Sequence, residues 1–140
     1  MRLRTLSVTV GLMAATVAGG AAPAAAGPLV STVNLEAGAG LHRSSATVNY
    51  ERVDGAVNSV KILSLEAFSG QRDCVWVEWN DPESANGWSA LNSEPPCYGM
   101  SMGEGLNRII KAPKGYQLKV RLAGYHDGGM VVMHKDIAKL

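Results

Sequence analysis

The run Cys74-Val75-Trp76-Val77-Glu78-Trp79 decides the fold. Its β-branched and aromatic residues favour extended backbone, and alternation sets Val75, Val77 and Trp79 on one face against Cys74, Trp76 and Glu78 on the other. Bulk on both faces predicts a central strand covered on both sides. The only other cysteine is Cys97, so in an oxidising compartment the two have one possible intramolecular pairing. Between them, residues 81–96 are rich in Asn, Ser, Glu and Pro, with Asp81-Pro82 and Pro95-Pro96 opposing helix. The expectation is a strand followed by a long loop whose far end is held by a disulfide.

Upstream, Thr47 to Val53 alternates, with Val48 and Tyr50 on one face and Thr47, Asn49 and Glu51 on the other. Ser59 to Phe68 changes phase: Val60 and Ile62 fall opposite Leu63, Leu65 and Ala67, which predicts a bulge or burial on both faces. Downstream, Leu106 to Lys111 reads as a strand, Ala112-Pro113-Lys114-Gly115 as a type I turn, and Tyr116 to Tyr125 as a second alternating strand. Asp127-Gly128 offers a two-residue turn into Met130 to Ile137. That turn would pair Leu118 with Ile137, Leu122 with Met133 and Lys119 with Asp136, leaving Lys135 opposite Val120. A short amphipathic C-terminal helix using Met130, Met133, Ile137 and Leu140 is the alternative.

These runs predict an all-β, mostly antiparallel fold, a small β-sandwich or partly open barrel with one disulfide. Residues 1–26 read as a leader: Arg2 and Arg4, an uncharged stretch from Leu6 to Gly19, then small residues with a cut expected between Ala26 and Gly27. The apolar stretch is short of the ~20 residues a spanning helix needs. Residues 27–140 are thus expected to form one exported β-rich domain, secreted or held in the periplasm or cell wall. A content of 46% hydrophobic residues excludes a disordered tail. The leader carries two basic and no acidic residues, so the remainder is close to neutral and bulk charge selects no partner.

Several patterns carry candidate chemistry. Gly99-Met100-Ser101-Met102-Gly103 spells G-x-S-x-G, and Asp127 and His134 follow in hydrolase order. The domain is too short for the parallel sheet that motif serves, and Gly103-Glu104-Gly105 reads as a flexible turn rather than a helix start. Asp73, Glu78, Asp81, Glu83 and Glu94 could supply a carboxylate pair, but no spacing sets two of them at a working separation. Residues 81–87 carry oxygen side chains and a glycine without the calcium-loop order. His42, His126 and His134 have no metal-ligand spacing, and no cofactor motif is present.

Arg108, Lys111, Lys114, Lys119 and Arg121 form a basic final third in which Lys119 and Arg121 share a strand face and could meet an anionic partner. Dispersed as they are, they make no nucleic-acid footprint. The functional expectation is a small non-catalytic binding protein for an extracellular protein or glycan, a protease inhibitor being one form of it, with Trp88 and Leu91 of the long loop as anchors. A small hydrolase using Ser101 or a carboxylate pair, and a structural cell-wall or spore-surface component, are the competing classes.

Overall fold

The computed structural model describes residues 27–126 and 137–140. Among the described residues, eight strands form two antiparallel four-stranded sheets that are not closed into a barrel. They are β1 (Val30–Ala37), β2 (Ser44–Arg52), β3 (Ser59–Phe68), β4 (Asp73–Trp79), β5 (Ser89–Ala90), β6 (Ser101–Lys111), β7 (Lys119–His126) and β8 (Ile137–Lys139). One sheet runs β1-β2-β3-β6 and the other β5-β4-β7-β8. The inward faces share a single apolar core in which Leu35, Val48, Ile62, Leu65, Val75, Val77, Leu118, Leu122 and Leu140 are fully buried. Each such side chain contributes about 1.5–3 kcal/mol of transfer free energy, so the core rather than the disulfide dominates stability.

The phase change in β3 is a bulge. Asn49 pairs with Ser64 while Tyr50 pairs with Ile62, which leaves Leu63 as the extra residue and lets Val60, Ile62, Leu65 and Ala67 all face the core. The central strand is as expected only on one side. Asp73, Val75, Val77 and Trp79 are buried, whereas Cys74, Trp76 and Glu78 are half-buried.

Three expectations are corrected. The strand expected from Leu106 begins at Ser101, and Gly103-Glu104-Gly105 lies within it, paired with Glu66, Leu65 and Ser64. Gly103 and Gly105 are free to extend because a full partner strand supplies the hydrogen bonds that a glycine-rich segment cannot supply itself. The turn after it closes between Pro113 and Tyr116, one residue later than expected, because Gly115 takes the positive φ of 85° at its third position.

The last hairpin is also shifted. Lys119 pairs with Lys139, Val120 with Ala138 and Arg121 with Ile137, and the Leu140 amide donates to the Leu118 carbonyl. This register removes the mismatch of Lys135 with Val120 by placing Ala138 and Leu140 beside Val120 and Leu118, which is what burial of that face requires. Residues 137–139 are strand, so a helix through Ile137 to Leu140 does not form. The Asp127-Gly128 turn and Met130 to Asp136 lie outside the described residues.

Candidate functional site

Cys74 and Cys97 form the expected disulfide, seated in an isolated antiparallel bridge. On either side of it the Val75 amide donates to the Pro96 carbonyl at 3.0 Å and the Tyr98 amide to the Asp73 carbonyl at 2.8 Å. The disulfide therefore reinforces a backbone ladder that fixes where residue 98 emerges. In the chain-entropy account, closing a loop of this length adds about 3 kcal/mol.

Three connections meet at this end of the sandwich: Gly38–Arg43, Ser69–Arg72 and Cys97–Met100. Gly70 lies between the other two. Its amide donates to the buried Ser44 Oγ at 2.8 Å, and its carbonyl accepts from Asp73 N and Gly99 N. A Cβ on Gly70 would stand 2.7 Å from the Leu41 carbonyl oxygen and 2.6 Å from Asp73 Oδ2, so only glycine permits the approach. Fully buried Asp73 holds His42 Nδ1 at 2.9 Å, a cross-tie from the β1–β2 connection to β4. Burial of a carboxylate is tolerated when it is hydrogen-bonded in this way.

What these tied loops present is apolar. Leu41 is 53% exposed, Tyr98 68% and Met100 63%. Tyr98 holds φ at 53° and Gly99 at 79°. A bulky side chain in the left-handed region costs on the order of 1 kcal/mol or more, and it persists only where surrounding bonds impose it.

The long loop is internally organised. Asp81 Oδ1 accepts from Glu83 N at 2.9 Å and Asp81 Oδ2 from Ser89 Oγ at 2.6 Å. Asn86 Oδ1 accepts from Trp88 N at 3.0 Å and from Ser84 Oγ at 2.8 Å. Asn92 Oδ1 accepts from Val77 N at 2.9 Å. The polar residues of this loop thus do more than solvate it: they replace ladder hydrogen bonds and set its shape. The side-chain oxygens of Asp81 and Asn86 accept within that network. Among the described residues no group of three or more His, Cys, Asp or Glu could hold a metal ion.

Of the expected anchors, Leu91 is 3% exposed and belongs to the core, because β5 folds back onto β4 and carries it inward. Trp88 is half-buried, with Arg121 stacked on its ring at 3.9 Å to the centroid. Arg121 donates through Nε to Glu78 Oε2 at 2.8 Å, and its Nη2 lies 2.7 Å from the same oxygen. Trp88 and Arg121 are therefore brought together, as the foot of the loop. Lys119 lies on the same face opposite Lys139, not Asp136.

Ser101 is exposed at the start of β6, opposite Phe68, in extended backbone rather than on a strand-to-helix elbow. Asp127 and His134 lie outside the described residues. The carboxylates are dispersed: Asp73 on His42, Glu78 on Arg121, Asp81 within its loop, and Glu83 and Glu94 exposed. Arg108, Lys111 and Lys114 are exposed. The pairing of His42 with Asp73 spans 31 residues and has no local sequence signal. Tyr98 and Met100 did have one, as apolar residues flanking a glycine directly after a cysteine. No helix among the described residues is long and apolar enough to cross a membrane. Comparison with protein-family models, curated proteins and solved structures finds no match.

Proposed function

We propose that this chain is an exported binding domain for an extracellular protein, and that Leu41, Tyr98 and Met100 are its contact surface. The observation that carries this reading is the strained and exposed Tyr98, fixed by the Asp73 carbonyl and the neighbouring disulfide. An exposed aromatic side chain on a rigid support loses little conformational entropy on binding, and aromatic and methionine side chains are both enriched at interfaces. Export is supported by the pairing of both cysteines together with the leader-like pattern of residues 1–26. The loop of residues 81–87 suits an inhibitor's inserted segment less well, since its successive turns are not the extended backbone that adds to a sheet edge.

The test is capture. Immobilised protein is challenged with culture-medium proteins, purified extracellular proteases and polysaccharides. The expected result is one retained protein whose affinity falls by about tenfold or more in Tyr98→Asn, while Glu83→Ala binds as wild type. Retention of a polysaccharide only, or equal capture by Tyr98→Asn, overturns the reading.

A further inference from the structure

We infer that the cleft between residues 93–97 and the first half of β6 receives a lysine or arginine side chain of the captured protein. This rests on the contact surface proposed above, which it extends through Met100. Strand β6 is the edge of one sheet, and residues 93–97 follow β5, the edge of the other, so the cleft lies at the seam between the sheets. It has a volume of about 520 Å³, within the range of small-ligand sites.

Its walls and its charge suit different parts of one side chain. Pro95, Pro96, Met100 and Met102 line it with apolar surface, Glu94 and Glu104 add two carboxylates, and no lining residue is basic. Among the described residues neither carboxylate has an ion-pair partner. An apolar occupant would strip water from those carboxylates without replacing its hydrogen bonds, and an acidic one would be repelled. A lysine or arginine lays its methylene stem along the prolines and methionines and carries its charged head to the carboxylates.

The cleft is built before a ligand arrives. Ser93 donates to Glu104 Oε2 from its amide at 3.1 Å and from its hydroxyl at 3.2 Å, which orients the carboxylate and leaves its charge in place. Asn92 ties the same segment to β4, accepting from the Val77 amide at 2.9 Å and donating to the Glu94 carbonyl at 2.8 Å. The Pro96 carbonyl is held by the Val75 amide at 3.0 Å. With both walls fixed, little on this side has to be ordered on binding. Met100 borders the cleft and stands with Tyr98 on the proposed contact surface, so one partner spans both.

Amide NMR titrations at low salt with blocked tripeptides test this, the central residue being arginine, lysine, norleucine or glutamate. Both basic peptides are expected to give saturable shifts at Ser93, Met102 and Glu104, and the other two none. Glu104→Gln should weaken that binding about fivefold, and adding Glu94→Gln should abolish saturation at an unchanged melting temperature. Tyr98→Asn should bind the peptides as wild type, because Tyr98 does not line the cleft. In the capture assay the double glutamine variant is expected to hold its protein about tenfold more weakly. No saturable shift with either basic peptide, norleucine binding as well as arginine, or a double variant that binds normally overturns the inference. Capture that needs Tyr98 but neither glutamate overturns this inference alone and leaves the contact surface standing.

Discussion

The Arg121 guanidinium lies 3.9 Å from the centroid of the Trp88 ring while it is held by Glu78 on the neighbouring strand. The stack joins the long loop to the outer face of β4 and β7, and partial burial of both charged groups makes it stronger than a surface pair. Arg121→Ala is expected to cost about 1–3 kcal/mol, because it leaves the half-buried Glu78 carboxylate without that donor. In a double-mutant cycle with Trp88→Ala, urea melts should give a coupling of roughly 0.5–2 kcal/mol. Limited proteolysis should find residues 82–87 more readily cut in either variant.

Gly70 is fixed by its surroundings rather than by its own backbone conformation. Gly70→Ala drives a methyl group onto the Leu41 carbonyl and Asp73 Oδ2, and should destabilise the protein by roughly 2–4 kcal/mol. Gly105→Ala, where a Cβ meets nothing within 4 Å, serves as the control and should stay within about 1 kcal/mol of wild type. Thermal melts of the two variants side by side decide this.

The buried cross-tie should be costly to break. Asp73→Ala removes the acceptor of His42 and opens space beneath the β3–β4 connection, with an expected loss of about 3 kcal/mol in denaturant unfolding. Amide exchange should then rise first at Gly70, Tyr98 and Gly99, whose donated hydrogen bonds surround that aspartate.

Like charges face each other where Lys119 pairs with Lys139. Lys139→Glu converts the repulsion into an attraction on an exposed edge strand and is expected to stabilise by about 0.5 kcal/mol, an effect that added salt should erase. A chemical melt at low and at high ionic strength reads both parts.

Much of this architecture was legible wherever a face is buried. Val75, Val77 and Trp79 announced β4, and the phase change between Ile62 and Leu65 announced the bulge, because core burial imposes period two on the residues themselves. The first strand, Val30–Ala37, has a weak signal because only Val33, Leu35 and Ala37 alternate towards the core. Pairing is what escaped. Gly103 and Gly105 read as a turn because isolated glycines weaken a strand, yet β3 supplies their partners. The shortest turn puts the register of β7 with β8 three residues from the observed one, and Lys135 opposite Val120 is the visible symptom of that mismatch. The site was less legible than the fold. Leu91 and Ser101 are local patterns whose burial and backbone are decided elsewhere, and His42 with Asp73 is brought together only by the crossing of two sheets.

In the proposed binding mode Tyr98, rather than the long loop, meets the ligand. A photo-crosslinking residue placed at position 98, and in a parallel sample at position 83, tests it in culture medium. One covalent protein adduct is expected from position 98 and none from position 83. Adducts from position 83 alone, or from neither, would contradict it.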